Sequence, residues 1–182
     1  QVRVMGNPGF APTLALIAYG SSFVTKNPRE KETAVLLLES MGFTGIATGV
    51  GQAVLSTQRP EDGGEINYFA RRGHGVSGDA ALAACVVPIL SRQYLTVDEG
   101  DGPARRFWKM SGASLLYAGA FLTGYQRLDA DKHWAPEVFL GLVTGFSVGQ
   151  MLVDSHRKEA LDSTLRIDFT AGPSSFHARL TF

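Results

Sequence analysis

An all-α helical bundle closed by a short C-terminal β-hairpin, in one domain spanning residues 1–182, is the fold the sequence predicts, and three observations predict it. Four segments free of charged side chains, residues 40–58, 80–91, 110–126 and 138–153, follow one another, separated by charged or Gly/Pro-rich connectors such as KNPREKE and DEGDGPARR. Prolines fall where helices start or bend. After the charged DSHRKEALD stretch the apolar pattern changes to a period of two around a Gly-Pro turn. At 182 residues the chain suits one domain with a real core better than two, since domains cluster near ~100–150 residues.

The elements follow in order. Residues 40–58 form the first apolar run and residues 80–91 the second, where Pro88 lacks the N–H of a regular turn and is expected to kink the helix. Residues 110–126 form the third. The fourth, residues 138–153, is preceded by Pro136, whose missing N–H costs nothing near a helix start, and by Glu137, which suits the positive helix end. Three of the four run 16 to 19 residues, near the ~20 that cross a bilayer, yet Gly, Ser and Thr dilute them. Buried helices of a soluble bundle and helices of a membrane-seated bundle both fit. Small residues that permit close packing in lipid favour the second, and a mean hydropathy of +0.03 restrains it. At the C-terminus Leu165, Ile167 and Phe169 alternate with Arg166 and Asp168, and Phe176, Ala178, Leu180 and Phe182 resume the alternation. One hairpin over about residues 164–182 cannot close a barrel, so it either lies on the bundle or docks a protein partner.

Seventeen basic and seventeen acidic side chains cancel, and no basic stripe with interleaved aromatics appears, which argues against a nucleic-acid surface. The single cysteine, Cys85, lies in the apolar run ALAACVVPIL and reads as a small core hydrophobe. Gln1 opens without a basic-then-apolar leader, a start compatible with export after processing.

Chemistry gathers at three helix ends. QRLDADKHWAPE places Arg127, His133 and Glu137 ahead of the last apolar run: an imidazole beside a carboxylate is held in one tautomer, and an arginine offers a planar fork for phosphate oxygens. The plainer alternative is a solvated helix-entry loop with an ordinary i,i+4 pair. STQRPED supplies Arg59 before Pro60, and RRGHGVSGDAAL supplies His74, Ser77, Gly78 and Asp79 in a Gly-rich turn opening a helix, where backbone amides approach an anion closely.

This order of motifs resembles the phosphatidic acid phosphatase type 2 superfamily of acid phosphatases, lipid phosphatases and vanadium haloperoxidases, whose signature runs K-x6-R-P, P-S-G-H and S-R-x5-H-x3-D. Arg127-x5-His133-x3-Glu137 matches the third motif, with Gln126 for Ser and Glu for Asp; Arg59–Pro60 closes the first, with Gln52 at the lysine position. Two registers compete for the second motif. VSGD keeps Ser77 and Gly78 and puts Asp79 at the histidine position; RRGH keeps His74 and loses Pro-Ser. The first register is preferred because AALAA then follows as a small-residue helix. The resemblance covers about residues 33–155 and implies a helical bundle of the phosphatase/haloperoxidase type. It further implies that His133 attacks phosphorus to form a phosphohistidine, that Glu137 orients it, and that Arg59 and Arg127 hold the phosphate oxygens beside Gln52, Ser77 and Gly78. The leaving oxygen takes its proton from the second-motif residue, Asp79 or His74. No metal and no cofactor are expected.

The function this implies is hydrolysis of a phosphomonoester, a lipid phosphate or a small phosphate ester, in the membrane or periplasm of a bacterial envelope. The departures at residues 52 and 79 weaken charge neutralisation and leaving-group protonation, so the activity is expected to be weak. The alternative is a catalytically degenerate relative, a lipid- or phosphate-binding scaffold or a subunit of an envelope complex. A vanadate-dependent peroxidase is a third and smaller prospect, given the short chain.

Overall fold

The computed structural model describes residues 5–63 and 74–162, with side chains through residue 157, and the backbone of residues 166–172 and 175–181. Five helices form the bundle: α1 (Phe10–Thr25), α2 (Pro28–Leu55), α3 (Gly78–Tyr94), α4 (Pro103–Asp129) and α5 (Ala135–Asp162). The all-α expectation holds. Beyond α5 the backbone of Arg166–Gly172 pairs antiparallel with that of Ser175–Thr181, in the register Ile167 to Leu180 and Phe169 to Ala178.

Local chemistry sets the helix starts. The Asn27 side chain accepts a hydrogen bond from the Arg29 amide at 3.1 Å and Pro28 takes the first position, so α2 begins within the charged PREKE stretch, well before the charge-free run at residue 40. Ser77 caps α3 in the same way, its hydroxyl accepting from the Ala80 amide. Pro103 opens α4. Pro88 lies inside α3, yet residues 78–94 remain one helix. The sequence reading missed α1: Pro12 seems to break a helix there, but it sits in the first turn, where its amide would have no intrahelical acceptor.

α3 is the axis of the molecule. It packs most extensively on α5 and also on α2 and α4, while α1 leans on α2. Ala80, Ala81, Ala83, Ala84, Cys85, Val86, Val87 and Ile89 are fully buried around it. Small side chains there let helices approach closely, and α5 answers with Gly141, Gly145 and Gly149, one turn apart. A Cβ at any of the three would fall closer than 3.0 Å to a backbone carbonyl oxygen of α3, those of Ser77, Ala81 and Cys85 in turn.

The outer surface is the inverse of this core. Leu16, Ile17 and Phe23 on α1, Phe43, Ile46 and Val50 on α2, Phe107, Trp108 and Leu115 on α4, and Phe139 and Met151 on α5 are all exposed. Two segments, Pro28–Asp62 and Ala135–Arg157, are long and apolar enough to cross a membrane. Only 33% and 39% of their apolar windows are buried inside the protein, so most of that surface meets whatever surrounds the bundle.

Candidate active site

α2 and α4 end, and α3 and α5 begin, at the same end of the bundle, so the loops joining them converge there. α4 stops at Asp129 and the chain reverses within five residues. Asp131 takes a left-handed φ of 51°, a conformation Asp tolerates better than most residues, and the Lys132 amide returns to the Arg127 carbonyl at 3.1 Å. This tight reversal places His133 just before α5. The Trp134 ring N–H donates to the Gln58 carbonyl at 2.8 Å, and the Glu61 amide to the Asp131 carbonyl at 3.0 Å, fastening the reversal to the loop after α2. The Ser77 amide donates to the Glu137 carbonyl at 3.1 Å, docking the start of α3 onto the first turn of α5.

His133 and Glu137 are both buried, at 7% and 4% exposure, and form the centre of the site. His133 Nδ1 lies 2.9 Å from Glu137 Oε2. The same oxygen accepts the Trp134 amide at 3.1 Å, and Glu137 Oε1 accepts the Thr57 hydroxyl. A carboxylate so surrounded by donors accepts from His133, which fixes the proton on Nδ1 and leaves the Nε2 lone pair as the reactive one.

Two arginines stand at the same end of the bundle. Arg127, 6% exposed, sits in the last turn of α4 with its Nε 3.3 Å from Asp79 Oδ2. Arg59 donates from Nη1 to Glu61 at 3.1 Å, and its buried Nε has no hydrogen-bond partner among the described residues. Glu61 is shared, because Lys132 also pairs with it.

His74 lies within electrostatic reach of Arg59, His133 and Glu137. Burial first, and then the positive charge of Arg59, hold its imidazole below the ordinary value of 6.5. The other second-motif candidate, Asp79, is engaged with Arg127. Gln52 spends its amide on the Val76 carbonyl at 2.8 Å and so shapes the loop that carries His74, while Ser77 is committed to its capping bond and Gly78 is the first residue of α3 beside Gln52.

All nine residues singled out in the sequence therefore sit at one end of the bundle. Thr57, Trp134, Glu61 and Lys132 were missed. Thr57 and Trp134 hold the Glu137 carboxylate from positions that carry no charge pattern, and Lys132 reads in sequence as one more solvated charge. Among the described residues no group of three or more His, Cys, Asp or Glu side chains is placed to hold a metal ion. The chain matches no protein-family model, no curated protein and no solved structure.

Proposed function

We propose that this protein is a membrane-seated phosphomonoesterase of the phosphatidic acid phosphatase type 2 kind, acting on a phosphate ester through covalent attachment of phosphate to His133. The observation that carries the proposal is the buried Thr57–Glu137–His133 relay, at the end of the bundle that also carries Arg59 and Arg127. A surface i,i+4 pair has no need of a third donor, whereas a nucleophile needs its tautomer fixed.

In the proposed step His133 Nε2 attacks phosphorus in line with the leaving oxygen. The P–O bond breaks as the P–N bond forms, and Glu137 stabilises the ring now carrying the transferred phosphoryl group. Arg59 and Arg127 hold the non-bridging oxygens. The leaving oxygen takes a proton from His74, and in the second half-reaction the same imidazole accepts a proton from the water that cleaves the P–N bond, releasing inorganic phosphate. His74 is preferred to Asp79 for this role because it shares the electrostatic field of Arg59 and His133, while Asp79 is engaged with Arg127. The dianionic ester offsets the positive charge that helps depress His74, so substrate binding itself raises the imidazole toward its protonated, proton-donating form.

The membrane seat rests on the small-residue interior and large apolar exterior, together with the two span-length segments.

The second reading, a phosphate- or lipid-binding scaffold, is favoured by two observations. Asp79 already neutralises Arg127, and Gln52 stands without charge where the resemblance calls for a lysine. Hydrolysis of an aryl phosphate and of an alkyl phosphate by purified protein separates the two. An enzyme turns over the aryl ester, loses both activities in His133→Ala, and loses mainly the alkyl activity in His74→Ala, since a poor leaving group needs the proton most. A scaffold binds phosphate or vanadate and turns over neither ester.

A further inference from the structure

The end of the bundle away from His133 carries a cavity that the proposed chemistry does not use. α3 separates the two ends by about 25 Å, from 17 residues at ~1.5 Å each. The cavity measures about 540 Å³ and lies where α2 and α4 begin and α3 and α5 end. Arg29, Arg92, Arg105, Lys109 and Arg157 line it, against only two lining carboxylates, Glu32 and Asp98.

The charges are unevenly spent. Lys109 is saturated by Asp98 at 2.9 Å and Asp101 at 2.6 Å, and Arg105 pairs with Asp101 at 3.2 Å. His156 is held by Glu39 at 2.9 Å. Arg29, Arg92 and Arg157 form no ion pair among the described residues, although they come from three different helices and face one cavity. All three are solvent-exposed and so open to an anion that arrives from outside.

The cavity also has an apolar neighbour. A groove of about 290 Å³, lined by Leu14, Ile17, Leu37, Leu90 and Tyr94, runs between α1, α2 and α3. Tyr94 lines both spaces, its hydroxyl donating to Glu30 at 2.7 Å. A basic cavity that shares the Tyr94 wall with an apolar groove, along helices whose outer faces are apolar, fits a molecule with an anionic head and a hydrocarbon tail.

We propose that this cavity binds the phosphate headgroup of an anionic membrane lipid, its acyl chain lying in the groove beside Tyr94. The site shares the membrane seat of the proposed function and none of its chemistry, so ester turnover tests one and lipid-dependent stability the other. Headgroup binding at such a site is worth about 5-fold in affinity per arginine.

The test uses the full chain in phosphatidylcholine nanodiscs with and without phosphatidylglycerol, reading the thermal midpoint and the lipids retained after purification. Phosphatidylglycerol is expected to raise the midpoint and to be retained. In Arg92→Gln/Arg157→Gln its apparent affinity falls by about 25-fold, while the midpoint in phosphatidylcholine alone stays at the wild-type value, showing that the variant folds. Lys26→Gln/Lys31→Gln removes two cations from the same end outside the cavity and keeps the response. Inorganic pyrophosphate, the soluble source of the same chemistry, leaves the midpoint unchanged. An undiminished response in the arginine variant, or an equal loss in the lysine variant, overturns the site. Stabilisation by pyrophosphate equal to that by phosphatidylglycerol overturns the lipid as its occupant.

Discussion

His133 is a buried imidazole whose Nδ1 is tied to a carboxylate that is itself tied to Thr57 and the Trp134 amide. Replacing the carboxylate by an amide in Glu137→Gln leaves room for the same contacts but removes the charge that the proposed mechanism needs to steady a phosphorylated ring. Aryl phosphate turnover is expected to fall ~10²-fold or more with the fold intact, as steady-state kinetics and circular dichroism together would read. Glu61 makes the opposite prediction. It bridges Arg59 and Lys132 as a substrate anion would, in a position about one third exposed, where solvent screening keeps an ion pair weak. Glu61→Gln therefore lowers KM by up to about 5-fold and leaves kcat unchanged; a raised KM would show that Glu61 positions Arg59 rather than competing for it. His74 sets the pH dependence. Its folded value lies below the ordinary 6.5, so the fold prefers the neutral ring: the stability it contributes is present above about 6.5 and is lost as pH falls through the depressed value. Stability measured by thermal melts should fall on that acid side, and His74→Gln should flatten this part of the profile. The charged and imidazole members of the site were legible because such side chains at fixed spacing are rare near apolar runs. Thr57 and Trp134 were not, since a hydroxyl and an indole gain their roles only once the loop after α2 folds against the start of α5.

α3 and α5 meet through backbone rather than bulk. The glycines at 141, 145 and 149 stand one turn apart, and each leaves room only for the α3 carbonyl opposite it. Gly145→Ala puts a methyl group against the Ala81 carbonyl oxygen, where neither partner is a flexible side chain, and is expected to cost at least ~2 kcal/mol of stability. Gly42 on α2 faces open space, so Gly42→Ala should be neutral or stabilise by up to ~1 kcal/mol through helix propensity. Thermal unfolding of both variants under one set of solvent conditions checks the contrast; equal effects would mean the glycine face is not what seats α5. Charge-free runs disclosed α3, α4 and α5, because an apolar run bounded by charge is what a packed helix demands. They placed α2 too late, as the charged first turns of α2 carry no apolar run, and they missed α1, where prolines and glycines masked a segment as free of charge as the others.

The whole molecule is small inside and large outside. Alanines, glycines and Cys85 line the α3–α5 contact beside a few buried valines, leucines and Ile89, while phenylalanine, leucine, isoleucine and tryptophan cover the outer faces of four helices. In water that arrangement leaves large apolar side chains exposed on four helices; in hydrocarbon the same surface costs nothing, and close packing of small residues supplies cohesion. The protein is therefore expected to pellet with membranes and to require detergent for release, and recovery as a monodisperse species in the aqueous fraction would contradict the membrane seat. Composition alone left this open, because a mean hydropathy of +0.03 averages the charged ends with the apolar middle, and only the fold tells which apolar residues face outward. The central claim concerns the buried histidine at the end of the bundle that also carries Arg59 and Arg127. It is tested most directly by rapid quench into alkaline denaturant of the protein turning over an aryl phosphate labelled on phosphorus, followed by mapping of any label left on the chain. The account predicts an acid-labile, base-stable phosphoryl group on His133 that is absent from His133→Ala. Ester turnover with no labelled protein, or label that persists in His133→Ala, would contradict it.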